Sequence, residues 1–252
     1  MSPAALALCA CVAFVSGALN AVAGGGSFLL FPAILASGIA PVDANVATTL
    51  ALWPASVSST IAYRRELAAG LRLALVFGVV SAIGAFGGAK LLLATPDARF
   101  VRIVPFMLLG ATTLFTIGPR LTARFGAGER SGARLAAALA FQVVVACYGG
   151  YFGGGMGILM LAAFALLGVD SIHEANALKS LLGVLINGVA SLAFLGAGRG
   201  DLRTTWPIVV TAVAGGYWGA AAARRVDAKR IRPIVALLAW GTTLAICVKF
   251  WL

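Results

Sequence analysis

The sequence predicts an all-α polytopic membrane protein with two inverted-topology repeats, each a glycine-broken helical hairpin followed by three transmembrane helices. Composition is the first observation behind this fold class: 61% of the 252 residues are hydrophobic and 11% are charged. A soluble domain carries about 25% charged residues, so this chain lacks the polar surface that water would require on every side. The other two observations are a duplicated glycine triplet and an uneven distribution of basic residues among the loops.

The first element is a hairpin centred on the stretch NAVAGGGSFLLFP, residues 20–32. It joins an apolar segment at 4–22 to a second one at 28–37, which is too short to cross a bilayer at about 1.5 Å per residue. Glycine tolerates positive φ, so the triplet lets the chain reverse. The two arms therefore enter and leave on the same side, whether the hairpin dips halfway or crosses twice. Because no basic residue precedes residues 4–22, we expect this segment to be retained rather than cleaved as a signal peptide.

Three longer apolar segments follow each hairpin, and the whole order recurs after a basic linker. The stretch GGYFGGGMGILML at 149–161 repeats the glycine triplet, and Asn45 matches Asn176 at an offset of about 130 residues. Internal duplication of this kind is common in transporter folds. The segments after the hairpins are residues 44–63, 71–93 and 101–117 in the first half and 175–195, 206–223 and 234–252 in the second. The predicted units are repeat 1–118, linker 119–134 and repeat 135–252.

The basic residues indicate how the repeats are oriented. A hairpin plus three spans crosses the membrane an odd net number of times, so the second repeat is upside down relative to the first. This arrangement places the loops 64–72, 119–134 and 224–232 on one side, whereas parallel repeats would separate the last and most basic of them from the others. Lys and Arg concentrate in cytoplasmic loops, so we expect these three loops inside and both termini outside, on the periplasmic side.

The second arm of each hairpin begins with backbone N–H groups that lack an intrahelical partner. A helix N-terminus carries roughly half a positive charge, and an anion is its natural ligand. Inverted hairpins enter from opposite faces, so their tips can meet near the midplane and direct two such N-termini at one site. The alternative that stays open is that the glycines only let helices pack closely, as we expect for the pairs Gly84/Gly88 and Gly215/Gly219.

Polar residues at the start of the helix after each hairpin supply further hydrogen-bond donors. The two sets occupy equivalent faces of their helices. Lys179 either adds a full positive charge to the site or extends to the cytoplasmic interface. The predicted substrate-binding residues are Gly24, Gly25, Gly26, Ser27, Asn45, Thr48, Thr49, Gly153, Gly154, Gly155, Asn176, Lys179, Ser180 and Asn187.

Several kinds of chemistry find no support in the sequence. The four cysteines form no CxxC pair, and the single histidine, His173, belongs to no cluster with metal-ligand spacing. No Ser/His/Asp constellation and no nucleotide-binding motif are recognisable, so the sequence predicts no enzyme activity, no metal and no cofactor. The net charge of +11 comes from basic residues between apolar segments, which favours membrane topology over nucleic-acid binding.

Two long motifs resemble the TauE/SafE family of membrane transporters: AVAGGGSFLLFPAILASGIAPVDANVATTLA in the first half and GYFGGGMGILMLAAFALLGVDSIHEANALKSLL in the second. The stretches AYRRE at 62–66 and GAFGGAK at 84–90 add to a likeness that covers nearly the whole chain. The chain departs from the family pattern at Met156, directly after the second triplet, and at Lys179, where a small hydroxyl residue is common.

The resemblance implies a secondary transporter, an exporter or a permease, for small sulfur-containing anions such as sulfite, sulfoacetate or other organosulfonates. It implies alternating access in a bacterial-type inner (plasma) membrane. An anion channel and a transporter of an unrelated small anion are the alternatives. The expected partners are the anionic substrate and membrane lipid, while a homodimer and a coupling ion, proton or sodium, stay open.

Overall fold

The computed structural model of the chain describes residues 1–67, 71–125, 132–167, 169, 171–223 and 228–251. All regular secondary structure within these ranges is helical, which confirms the all-α part of the predicted fold class. In chain order the helices are α1 (Pro3–Ala23), α2 (Ser27–Ala36), α3 (Pro41–Ala62), α4 (Arg64–Leu67), α5 (Leu71–Leu93), α6 (Asp97–Phe125), α7 (Gly132–Tyr151), α8 (Met156–Leu166), α9 (Ile172–Gly196), α10 (Leu202–Ala223) and α11 (Ala228–Trp251).

Four segments in the described ranges are long and apolar enough to cross a membrane: Pro3–Val22, Leu73–Leu93, Gly132–Tyr151 and His173–Gly196. The first and third of these are the first arms of the two hairpins. The second arms, α2 and α8, have only 10 and 11 residues, too few to span at about 1.5 Å per residue. The chain is therefore a multi-pass helical membrane protein in which each hairpin pairs a long arm with a short one.

The first hairpin forms where the glycine triplet predicts it. α1 begins after Ser2, whose hydroxyl accepts a hydrogen bond from the N–H of Ala5 at 3.2 Å, an N-cap that satisfies one of the free donors of the first turn. The helix ends at Gly24, whose φ of +75° lies in the left-handed region that favours glycine. The N–H of Gly24 donates to the carbonyl of Asn20 at 3.0 Å, which closes the last turn before α2 begins at Ser27.

The second hairpin reverses with two left-handed glycines instead of one. Gly153 and Gly155 have φ values of +77° and +76°. The N–H of Gly153 donates to the carbonyl of Tyr148 at 3.2 Å and so ends α7, and Met156 then starts α8 by donating to the carbonyl of Gly153 at 3.3 Å. The two triplets thus perform the same reversal with different local backbone geometry.

Packing between the halves of the chain is reciprocal. When α1, α2, α3, α5 and α6 are matched in order with α7 to α11, the contacts recur with the halves exchanged. α1 packs along α10 while α7 packs along α5, and α2 contacts α11 while α8 contacts α6. Each long hairpin arm is therefore held mainly by a helix of the other half.

Glycines bring these helices into backbone contact. A Cβ at Gly88 would overlap the carbonyl of Cys147 on α7, and a Cβ at Gly215 would overlap the carbonyl of Phe14 on α1. Small residues at this spacing allow close approach of membrane helices. The predicted packing role is confirmed for Gly84, Gly88, Gly215 and Gly219.

Matched helices run in opposite directions where they meet. Trp53 of α3 lies against Gly188 of α9, whereas Ser56, further along α3, lies against Gly183, which comes earlier in α9. The sequence numbers therefore rise along one helix as they fall along the other.

The same opposition holds between α6 and α11. The hydroxyls of Thr112 and Thr243 are 2.9 Å apart, while Thr116, one turn further along α6, accepts a hydrogen bond from the indole N–H of Trp240 at 3.0 Å. Thr112 and Thr243 occupy equivalent positions in the two halves, to within one residue. Each threonine therefore contacts its counterpart in the other half.

Several helices continue beyond the apolar segments that predicted them. α6 extends to Phe125 and α7 begins at Gly132, so helical structure covers both ends of the predicted linker 119–134. Parts of the predicted cytoplasmic loops lie outside the described residues, namely 68–70, 126–131 and 224–227.

We predict that Gly88→Val destabilises the fold and that the neighbouring Gly87→Val does so much less. A Cβ at Gly88 overlaps the backbone of α7, whereas nothing lies within 4 Å of a Cβ at Gly87. Overpacking of this kind costs roughly 1–3 kcal/mol, and the helix propensity change is the same at both sites. Thermal unfolding of both variants in detergent measures the difference, and equal melting temperatures would contradict the close α5–α7 contact.

Candidate functional site

The two chain reversals meet in backbone contact. A Cβ built on Gly24 would lie 2.7 Å from the Cα of Gly157, and one built on Gly157 would lie 2.7 Å from the Cα of Gly24. Only glycine at both positions allows this approach. The prediction that the hairpin tips come together is therefore confirmed at these two residues.

The short helices start at this contact. The N–H of Phe28 donates to the carbonyl of Gly25 at 3.1 Å, and the N–H of Ile158 donates to the carbonyl of Gly155 at 3.0 Å. The N–H groups of Ser27 and Gly157 have no hydrogen-bond partner in the described part of the chain. These are first-turn donors, which carry the partial positive charge of a helix N-terminus.

A cavity lies beside the contact, between α1 and α3 of the first half and α8 and α9 of the second. The centre of a water molecule can occupy only about 10 Å³ of it, which is roughly the space that one water molecule needs. This space is too small for an anion with three or four oxygens. Its lining residues are Asn20, Gly24, Ser56, Ser59, Met156, Gly157, Met160, Lys179, Ser180 and Gly183.

Lys179 is the charged residue of this cavity. Its side chain is 3% exposed, so it does not extend to an interface, and the snorkelling interpretation is wrong for this conformation. Its ammonium donates to the carbonyl of Ala21 at 3.0 Å and to that of Asn20 at 3.3 Å. These carbonyls end α1, where a helix carries partial negative charge. A cation from the second half thus caps a helix of the first half.

Asn45 of the first half makes the equivalent contact to the second half, with an uncharged amide group. Its amide nitrogen donates to the carbonyl of Tyr151 at 2.9 Å, at the C-terminal end of α7. Each half therefore uses the helix after its hairpin to cap the long hairpin arm of the other half. The amide oxygens of Asn45 and Asn176 are buried without a hydrogen-bond partner among the described residues, so each keeps an acceptor unused.

Aromatic residues fill the corresponding volume beside the first short helix. Phe31 packs edge-on against Phe100 and Phe152, with ring centroids 6.2 Å and 5.4 Å away. A Cβ at Gly155 would lie 3.0 Å from the ring of Phe28. The site is therefore polar on one side of the contact and apolar on the other, unlike the symmetric site that the duplication predicts.

The cavity includes three of the predicted substrate-binding residues, Gly24, Lys179 and Ser180. The hydroxyls of Thr48 and Thr49 instead donate to carbonyls of their own helix, at 2.8 Å and 3.0 Å. Predicted residues that do not line this cavity are Gly25, Gly26, Ser27, Asn45, Thr48, Thr49, Gly153, Gly154, Gly155, Asn176 and Asn187.

The sequence interpretation missed the serines of α3 as site residues. Ser56 and Ser59 line the cavity, and Ser56 accepts a hydrogen bond from the side chain of Asn20 at 3.3 Å. Their spacing of three residues places them on one face of a helix, and Asn20 lies about one helical turn before the first hairpin tip at Gly24. Two serines on one helix face, together with an asparagine close to the hairpin tip, could have indicated these site residues from the sequence.

The fold and this cavity define a class: a multi-pass helical membrane protein with a buried cation between two duplicated hairpins. The chain matches the family model described as "Sulfite exporter TauE/SafE" over residues 9–246. It therefore belongs to the TauE/SafE family and is a membrane transporter.

Named relatives agree with this assignment. The chain is 26% identical to a "Probable membrane transporter protein" of Haemophilus influenzae, over 94% of this chain and 92% of the relative. It is also 26% identical to "Probable membrane transporter protein YfcA" of Escherichia coli K12, over 94% and 88%, and to "Probable membrane transporter protein ORF9" of Sinorhizobium sp., over 90% and 86%. No solved structure matches the chain.

Proposed function

We propose that this protein is a secondary transporter that moves small sulfur-containing anions, such as sulfite, sulfoacetate or other organosulfonates, across the bacterial inner membrane by alternating access. The observation that carries the proposal is the ammonium of Lys179, buried in a cavity between the two hairpins. An ionisable group inside a membrane protein marks a substrate or ion pathway by default. The family description supports a sulfur oxyanion as the substrate class.

Inverted repeats are part of the proposal. Their support is the exchange of contacts between the halves, together with the opposite directions of α3 and α9 and of α6 and α11. Two helices that occupy equivalent places and run antiparallel are related by a two-fold axis in the membrane plane rather than along its normal. We propose that the termini face the periplasm, because the basic loops then face the cytoplasm.

The cavity suits an anion because hydrogen-bond donors converge there. They are the ammonium of Lys179, the hydroxyls of Ser56 and Ser180, and the N–H of Gly157 at the start of α8. No carboxylate belongs to the lining among the described residues. A sulfite or sulfonate group presents several acceptor oxygens and fits such a donor set.

Substrate binding and rearrangement of the halves are linked through Lys179. The ammonium holds the last turn of α1 in the closed conformation, and an anion entering the cavity competes with those carbonyls for it. Occupation of the site therefore weakens a contact between the halves at the moment when they must move. A ligand shifts such an equilibrium by its difference in affinity for the two conformations.

An ion pair connects the halves at a second place. Arg199, between α9 and α10, donates to Asp43 at the start of α3 at 2.9 Å. The pair belongs to an open cavity of about 560 Å³ that also includes Asp201 and Thr205. In the proposed orientation this cavity opens on the periplasmic side, where Met1 also lines it. A proton or sodium ion as coupling ion, and a homodimeric assembly, complete the proposal.

We predict that Gly157→Val abolishes transport while membrane insertion continues. The added side chain overlaps Gly24 and so separates the hairpin tips. The matched control is Gly241→Val in α11, where nothing lies within 4 Å of a Cβ. The measurement is uptake of labelled sulfite and sulfoacetate into proteoliposomes, normalised to inserted protein. Wild-type rates in the Gly157→Val variant would refute a transport role for the hairpin contact.

A second prediction concerns orientation. In a variant that lacks the four native cysteines, Asp97→Cys and Asp201→Cys react with an impermeant maleimide from the periplasm, and Glu66→Cys reacts only after the membrane is opened. The inverted arrangement requires this pattern, because an odd number of crossings separates position 66 from 97 and 201. Labelling of position 201 from the cytoplasmic side alone would exclude it.

A further inference from the structure

A single side chain of the described lining can give this cavity a charge. Among the described residues that line it, Lys179 is the only ionisable side chain, and the other polar side chains are the neutral Asn20, Ser56, Ser59 and Ser180. Its hydrogen-bond partners among the described residues are backbone carbonyls, which carry partial rather than full charge. The cation at this site is thus not neutralised by a carboxylate.

Other charges of the described chain lie in different surroundings. The Asp43–Arg199 pair belongs to the open cavity, with side chains 40% and 44% exposed. Lys90 on α5 is exposed, and its ammonium lies 5.5 Å from the ring centre of Phe86. Neither the pair nor Lys90 lines the buried cavity.

We infer that this site takes monoanions in preference to dianions, specifically a singly charged sulfonate or oxyanion head with a short apolar group. The inference rests on the proposed function and narrows its substrate class: it favours singly charged organosulfonates over sulfoacetate, whose sulfonate and carboxylate are both charged at neutral pH. One ammonium and one monoanion form a neutral pair, whereas a dianion leaves one negative charge without a counter-charge. An uncompensated charge in apolar surroundings is costly.

The C-terminal end of α1 strengthens the preference for monoanions over dianions. The carbonyls of Asn20 and Ala21 carry the partial negative charge of a helix C-terminus, and they face the same ammonium as the ligand. The excess charge of a dianion would lie beside them and be repelled. A monoanion carries no such excess, so it meets less repulsion from these carbonyls.

Two methionines give the ligand its apolar contact. Met156 and Met160 line the cavity and are 5% and 0% exposed. A methionine side chain is unbranched and flexible, so it adapts to groups of different shape. The oxygens of a sulfonate can therefore face Lys179 while a short alkyl group faces the thioethers.

The test compares three small ligands of similar size with purified wild-type protein: methanesulfonate (one negative charge), sulfate (two) and methanesulfonamide (none). Competition against a labelled organosulfonate gives each affinity. We expect methanesulfonate to bind at least about tenfold more tightly than either of the others. Equal affinity for methanesulfonate and sulfate overturns the inference but leaves anion transport standing, whereas failure of every anion to bind overturns the proposed function itself.

The variant Lys179→Gln identifies the residue responsible. We expect the preference for methanesulfonate over methanesulfonamide to disappear in Lys179→Gln and to remain in Lys179→Arg. Lys90→Gln is the matched control, because it removes an equal charge outside the cavity and should leave the preference unchanged. A preference that survives in Lys179→Gln overturns the inference. The wild-type comparison decides the question by itself if the glutamine variant does not fold.

Discussion

The arrangement depends on how α1 ends inside the protein. The last carbonyls of a helix have no intrahelical partner, and in apolar surroundings water cannot satisfy them. Lys179, from the other half of the chain, donates to the carbonyl of Ala21 and adds a second hydrogen bond to the carbonyl of Asn20, which also accepts from the N–H of Gly24. The need to satisfy the last carbonyls of α1 thereby places the Lys179 ammonium at the hairpin contact. Under the proposed function, the same ammonium is the group that binds the anion.

The hairpin contact has reciprocal caps but differs in polarity on its two sides. Asn45 caps α7 as Lys179 caps α1, so the caps are reciprocal but only one of them is charged. The side chains of Phe28 and Phe31, both in α2, fill the space beside that helix. The space beside α8 is instead the cavity, which is lined by serines. The hairpin contact therefore has hydrogen-bond donors on one side and packed aromatic rings on the other.

The sequence predicted the features that follow from local chemistry. Glycine triplets before short apolar runs indicated both reversals, and the spacing of Gly84 and Gly88 indicated a close helix contact. These inferences hold because positive φ and the absence of a Cβ are properties of one residue. The repeat offset also indicated which helices correspond.

Features that depend on distant parts of the chain could not be predicted in the same way. Thr48 and Thr49 share the face of Asn45, but their hydroxyls find carbonyls within their own helix, a local competition that a helical wheel does not reveal. The partner of Lys179 is Ala21, 158 residues away. Ser56 joins the cavity only because α9 crosses α3 at Gly183.

The most direct test of the central claim is an experimental structure determined with and without methanesulfonate. If the ammonium of Lys179 is shared between α1 and the substrate, the complex shows a sulfonate oxygen within about 3 Å of the Lys179 nitrogen. The distance from that nitrogen to the carbonyl of Ala21, 3.0 Å in the closed conformation, is then longer. A sulfonate bound elsewhere, with the bond from Lys179 to Ala21 intact, would contradict the account.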